Sequence, residues 1–254
     1  MFNDVETQAQ RRKDRAMEME KEAIVSRVSD RIMRECGLYP DRVYDVDRQT
    51  KGVDFVLDTE EDRFYVDEKD ANSCWDRDLQ TYTIEVINKC NNRDSGWTMN
   101  QIARTTHYLL VWLRATDKTL QHIWRWEGMF VEKDLIKDIL QNIGYTNVEL
   151  EALVQQKGSE CGKYGMVYTL YDDERSNAKE RVNVFLALGH LEKNVNLQLP
   201  KEWFKSFAVR HIIWEEDKGI ILNEKRAPDI TPKMLTAFSK IRANKESDMQ
   251  SVVV

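Results

Sequence analysis

The sequence predicts an α/β fold on three observations. Residues 52–58 and 63–70 alternate apolar and polar side chains around valines and aromatics, as half-buried strands do. A stretch from about Asp14 to Cys36 carries Ile24, Val28 and Ile32 at helical spacing and stops before Gly37. Residues 108–113 are almost wholly apolar, which suits a strand buried on both faces. With 254 residues and 41% hydrophobic composition, the chain can bury a sizeable core as one large domain or two small ones.

The elements follow in order. After the first helix comes a short strand at 42–47, then two strands, 52–58 and 63–70, joined by the polar loop 59–62. A further strand at 81–87 precedes a Gly96-Trp97 turn, a short helical stretch around 99–105, and the apolar strand. Trp124, Trp126 and Phe130 could stack bases, but Ile123, Arg125 and Trp126 beside Gly128 read better as a strand packing its core face. Residues 132–143 form an amphipathic helix with Leu135, Ile139 and Ile143 on one stripe, ended by Gly144. Strand-like runs occupy 165–171, 182–188 and 194–199. A helix opens at Pro200 and runs through Trp203 and Phe207, and a last one starts at Thr231 with Pro232 in the first helical position.

Chemistry-bearing residues converge on the hairpin. If Asp58 faces Arg63, the antiparallel register sets Val56 opposite Tyr65, Asp54 opposite Asp67 and Gly52 opposite Lys69. Lys69 then shares the face of Asp67, two residues along. Opposed residues bring their Cβ atoms to about 4.5–5.5 Å, so two ionised carboxylates there repel. A hard divalent cation compensates: magnesium takes oxygen ligands, needs one or two protein carboxylates, and leaves room for waters and a substrate phosphate. Lys69 beside it can orient or deprotonate a water, or offset charge on the phosphate. An exposed hairpin face bearing ordinary charges has the same pattern, and Asp-x-Lys alone is a weak signal.

The surrounding order, a helix, three strands with the acids on the second and third, then a helix and a strand, resembles the PD-(D/E)XK nuclease superfamily, also called restriction-endonuclease-like. The resemblance covers residues 14–115. It implies a restriction-endonuclease-like core with a central mixed sheet flanked by helices. Residues 116–244 are then an α+β extension or second subdomain, open to a role in substrate recognition, and 245–254 a disordered tail. On the family's pattern Asp54 stands for the first acid and Asp67-Glu68-Lys69 for the second motif. The implied metal ligands are Asp54 and Asp67, the implied cofactor Mg2+ with Mn2+ as substitute, and the implied catalytic residues Asp54, Asp67, Lys69 and Glu22. Glu22 is chosen for the glutamate that the family often adds from its first helix, because it sits beside the stripe begun by Ile24; Glu18 is the rival. The implied activity is metal-dependent hydrolysis of phosphodiester bonds, in the first place of DNA. Gly96-Trp97, followed by His107-Tyr108-Leu109, looks like the turn and final core strand of some members. Two features depart from the pattern: Val53 stands where the namesake motif has proline, and the strand at 81–87 lies between the hairpin and the second helix.

Composition permits this reading without demanding it. A net charge of −6 weighs against a nucleic-acid partner, since phosphate contacts usually leave a basic footprint. Local basic groups exist at residues 10–15 and at Lys201, Lys205 and Arg210, although each alone reads as a solvated helix face. Cys36, Cys74, Cys90 and Cys161 have no Cys-x-x-Cys spacing and read as reduced thiols, and the four histidines lack zinc-site spacing. No run is long enough for a membrane span and the N-terminus is unlike a signal peptide, so a cytoplasmic protein is expected, with a homodimer left open. Residues 158–164 imitate a phosphate loop but have one residue too few between the glycines and Tyr164 where a hydroxyl is needed. Asp172-Asp173-Glu174 reads as a solvated acidic loop. The rival function is a non-catalytic protein on a nuclease-like scaffold, binding nucleic acid or another protein.

Overall fold

The stripe at Ile24, Val28 and Ile32 belongs to a helix longer than its apolar face requires: α1 spans Phe2–Glu35. Val25, Ser29, Ile32 and Met33 are its fully buried residues. It ends where Leu38 N–H donates to the Met33 carbonyl at 2.9 Å across Gly37, whose φ of +74° is the left-handed conformation this ending uses. The computed structural model describes residues 2–45, 52–59, 62–71, 74–88, 98, 103–157, 165–172, 181–187 and 194–251. The turn at 96–97, the loop at 158–164, Cys90, Cys161 and His190 lie outside them.

Strands β1 (Asp41–Arg42), β2 (Phe55–Asp58) and β3 (Arg63–Asp70) form an antiparallel meander. They are followed by β4 (Thr81–Asn88), β5 (His107–Ala115) and β6 (Ile123–Glu132). Helices α2 (Lys133–Asn142) and α3 (Asn147–Lys157) lead to β7 (Met166–Asp172), β8 (Arg181–Ala187) and β9 (Asn194–Pro200). Helix α4 (Lys201–Phe207), the hairpin β10 (Ala208–Glu215) and β11 (Gly219–Lys225), and α5 (Pro232–Ser251) complete the chain. The fold is α/β, with five helices among the described residues.

One sheet of seven strands has the order β1-β2-β3-β5-β6-β10-β11, mixed because β3 and β5 run parallel; a second sheet, β4-β9-β8-β7, is antiparallel. The apolar run of β5 is buried on both faces, as its composition predicts. Leu109, Val111 and Leu113 join Val66, Phe130 and Trp126 beneath α1. Tyr108, Leu110 and Trp112 join Met129 and Val131 against β4, α2, α4 and the second sheet.

Several expectations change. The strand at 81–87 does not interrupt the first sheet: β4 leaves it for the second, pairing with β9. Residues 103–106 are not helical, and 99–102 lie outside the described residues. The position near 115 is not a boundary of either sheet, because β6, β10 and β11 extend the first sheet while β4 joins the second. Of the short strand expected at 42–47, Arg42 lies in a strand, Asp41–Arg42, residues 43–45 do not, and 46–47 lie outside the described residues. The tail expected to be disordered from 245 continues α5 through Ser251. Helix α3 was not anticipated, although Thr146 and Glu149 form the capping pair that announces it: Thr146 N–H donates to Glu149 Oε2 at 3.0 Å.

Trp126 is fully buried, and its Nε1–H donates to Ser29 Oγ at 3.0 Å, which ties β6 to α1. Its ring lies over Gly128, so that a Cβ added there would collide with it. Gly128→Ala should therefore cost about 1–3 kcal/mol by overpacking. Urea denaturation checks this; an unchanged midpoint would show that the Trp126 ring has room to move.

Candidate metal centre

The β2–β3 turn closes locally. Thr59 N–H donates to the Asp62 carbonyl at 2.8 Å, and the exposed Arg63 and Asp58 side chains pair across it. From there the register runs Asp58↔Arg63, Leu57↔Phe64, Val56↔Tyr65 and Phe55↔Val66, as the sequence predicts. The ladder stops at Phe55. Asp54 N–H donates to the Val66 carbonyl at 2.8 Å, and Asp54 Oδ2 accepts Glu68 N–H at 2.8 Å, so this carboxylate is held by β3 backbone.

Asp67 sits on the same face and its side chain is 5% exposed, with the Lys69 ammonium 2.7 Å from its Oδ1. The Asp54 carboxylate lies within electrostatic reach of Asp67. Burial pushes the Asp67 carboxyl up to about 7; Lys69 opposes the shift and Asp54 adds to it. Burial also works against the Lys69 ammonium, but Asp67, Asp54 and Glu85 overcome it and hold the group above its ordinary value. Lys69 is thus a cation, suited to offsetting phosphate charge more than to taking a proton.

Of the four predicted catalytic residues, Asp54, Asp67 and Lys69 come together directly. Glu22 is exposed on α1 within electrostatic reach: its carboxyl is raised by partial burial, lowered by Lys69, and raised by Glu18 and Asp54. Its rival Glu18 is exposed on the same helix. Among the described residues no group of three or more acids, histidines or cysteines is placed to hold a metal. The two-carboxylate set still fits a hard cation. Asp54 Oδ1 and Asp67 Oδ2 are the oxygens not engaged by Glu68 N–H or the Lys69 ammonium. Gly52, with φ +75°, leaves space beside Asp67 Oδ2, since a Cβ there would lie 3.8 Å from that oxygen and 3.0 Å from Thr105 Oγ1. Gly52→Ala should strain the turn and weaken magnesium binding several-fold, read by calorimetric titration; wild-type affinity would exclude Gly52 as part of the cradle.

Other residues of this neighbourhood were not read from sequence. Glu68 points to the opposite face, where Arg42 NH1 at 2.8 Å and Ser26 Oγ at 2.9 Å donate to its Oε2. Arg42 also bridges to Asp30 at 2.6 Å, so β1 and β3 are clamped to α1 behind the site. Lys133, 3% exposed at the start of α2, is held down to about 8, chiefly by burial and then by Lys137, while Asp134 and Asp67 pull it up. Tyr108, register partner of Asp67, is raised by burial and by that carboxylate. The alternation of β3 was a usable signal for Glu68, since its neighbours Asp67 and Lys69 must face the other way. The Arg42 and Lys133 contacts span separations that no local pattern reveals.

The basic group at Lys201, Lys205 and Arg210 does not form an exposed patch. Lys201 is buried, 2.6 Å from Glu127; Lys205 pairs with Glu202 at 2.6 Å; and Arg210 Nε donates to Asn223 Oδ1 at 2.9 Å. Side chains pack as elements require, and Lys201 opens α4 against β6. Among the described residues, no helix is long and apolar enough to cross a membrane. No family model matches the chain, and no curated protein or solved structure is significantly similar to it.

Proposed function

We propose that the chain is a metal-dependent nuclease that hydrolyses phosphodiester bonds, in the first place of DNA, on a restriction-endonuclease-like core. One observation carries the reading: the carboxyls of Asp54, just before β2, and of Asp67 on β3 interact on one face, with the Lys69 ammonium 2.7 Å from Asp67. The order of elements supports it, since α1, the meander β1-β2-β3 and the later strand β5 stand in the sequence the superfamily pattern calls for, and β4 is accommodated in another sheet.

Asp54 and Asp67 would hold Mg2+ or Mn2+, with Glu22 in reach to assist through water. The bound cation supplies Lewis acidity toward the phosphoryl group and the attacking water. The chain's own contributions are separable. Glu68 N–H fixes the Asp54 carboxylate, burial of Asp67 makes its ionised form dependent on a compensating cation, and Lys69 places a positive charge where phosphate charge grows.

The rival reading, a non-catalytic binding scaffold, draws on the same ion pair. Lys69 already compensates Asp67, and a structural pair needs no metal. Cleavage decides between them. Plasmid, single-stranded DNA and RNA are incubated with magnesium, manganese or chelator. Cleavage with either metal and none with chelator is the expected result; no cleavage of any substrate, or chelator-insensitive cleavage, would favour the scaffold.

A further inference from the structure

Beyond the C-terminus of α1, on the face of the first sheet that this helix covers, lies an open cleft of about 1180 Å³. Residues 36–38, the β2–β3 turn and the β10–β11 hairpin wall it. Its floor is Leu38, Leu57, Phe64, His107 and Phe130. The Phe64 and His107 rings stack with centroids 3.9 Å apart. Burial holds the imidazole down to about 4, against the pull of Asp62, so it packs as a neutral ring.

The charges of the cleft are sorted by position. At the β10 end, Arg210 donates to Asn223 Oδ1 at 2.9 Å and to the Cys36 carbonyl at 3.4 Å, and meets no carboxylate among the described residues. Lys225, its register partner on β11, adds a second cation at that end. Toward the β2–β3 turn, Glu132 and Asp62 line the cleft and meet no cation among the described residues. Other lining charges are already paired: Asp58 with Arg63, Asp134 with Lys137, and Arg226 with Glu224. The cleft is therefore dipolar over an apolar floor. Arg210 stands opposite Phe130, Glu132 opposite His107, and Asp62 two residues before Phe64. Strand spacing and rise then put Glu132 roughly 8 Å and Asp62 roughly 20–25 Å from Arg210.

We propose that this cleft docks an extended peptide segment of a partner protein, with an acidic side chain at Arg210, apolar side chains on the floor, and a basic side chain at Glu132 and Asp62. An extended chain rises about 3.3 Å per residue and sends alternate side chains to one face, so about six or seven residues span the cleft. Charge complementarity selects this occupant. A polynucleotide would bring its phosphates against Asp58, Asp62, Glu132 and Asp134, whereas a peptide carries both signs. The cleft is distinct from the carboxylate pair: Phe64 and Asp67 alternate along β3, so the two sites lie on opposite faces of the first sheet.

The test is fluorescence anisotropy with a labelled peptide, ESLSLSKS, which sets glutamate, two leucines and lysine at alternate positions. Wild type should bind it saturably. Arg210→Glu should weaken that binding about tenfold and should bind KSLSLSKS, with lysine in place of the glutamate, more tightly than wild type does. Arg210→Gln should weaken the first peptide without gaining the second. Arg181→Gln, on a pair in the second sheet, should behave as wild type. Thermal melts establish that each variant is folded. No saturable binding by wild type, or no preference of Arg210→Glu for KSLSLSKS, overturns the site. A labelled oligonucleotide in chelator that binds wild type and is lost by Arg210→Gln, with the peptide unbound, would give the cleft to nucleic acid and equally overturn it. Because no measurement uses turnover, the outcome is independent of whether the carboxylate pair cleaves.

Discussion

Asp67→Asn should raise the melting temperature of the metal-free protein at pH 8, and the advantage should shrink steadily as pH falls toward 4. The fold holds the Asp67 carboxyl at about 7, chiefly by burial, against an ordinary value of 3.8. The protonated form is therefore the one the folded state prefers. Stability from this group is fully present below about 3.8 and is lost as pH rises through about 7, so wild type bears the whole cost at pH 8. Asparagine keeps the shape and never ionises. Lys69 loses its partner in the exchange, which offsets part of the gain, and a net of about 2 kcal/mol, or roughly 4–8 °C, remains.

The same substitution should remove magnesium stabilisation, which wild type gains by mass action, and reduce cleavage at least about 10²-fold. Lys69→Ala should slow cleavage comparably, by about 10²- to 10³-fold, with magnesium affinity little changed. Glu22→Gln should give a milder loss. Melts across pH with and without magnesium, beside plasmid cleavage, check all three variants. A pH-independent difference between wild type and Asp67→Asn would refute the raised Asp67 carboxyl, and wild-type cleavage by Lys69→Ala would refute its catalytic role even with the geometry intact.

The largest loss of stability is expected at Glu127, which has no part in the carboxylate site. It is 2% exposed and holds together Lys201 Nζ at 2.6 Å and His211 Nε2 at 2.9 Å, from α4 and β10. Burial works to raise its carboxyl; the His211 hydrogen bond and Lys201 overcome this and hold it at about 2. Glu127→Ala strands the buried Lys201 charge with only Asp78 at 3.2 Å, and should cost about 3–5 kcal/mol. Replacing both partners, Glu127→Leu with Lys201→Met, should restore most of that loss, because apolar residues of similar volume remove the desolvation cost of both charges. Urea melts of the single and double variants form the cycle; a double variant as unstable as Glu127→Ala would mean that packing, not charge, dominates.

The two buried acids respond to pH with opposite signs. The folded value of Glu127 is depressed, so its contribution is present above about 4.5 and lost as pH falls through about 2. The contribution of Asp67 is lost in the other direction, as pH rises toward 7.

The sequence by itself determined those features whose cause is local. The β2–β3 register follows from period-2 alternation and a turn of fixed length, which is why the sequence alone sets Asp54, Asp67 and Lys69 on one face. Helix ends at Gly37 and Gly144, and the start of α5 at Thr231, follow from capping chemistry read over a few residues. The Thr146–Glu149 pair that starts α3 is equally local. Only the tertiary structure decided which sheet each strand joins. An alternating strand such as β4 pairs equally well with any free edge, and the choice of β9, more than a hundred residues away, rests on how the apolar faces of both sheets are buried together. The ionic partners are non-local in the same way. Arg42 with Glu68, Glu127 with Lys201 and His211, and the opposed Arg114 and Arg125 are ordinary charges in sequence, and acquire their energies only when packing removes them from water and fixes what stands across from each.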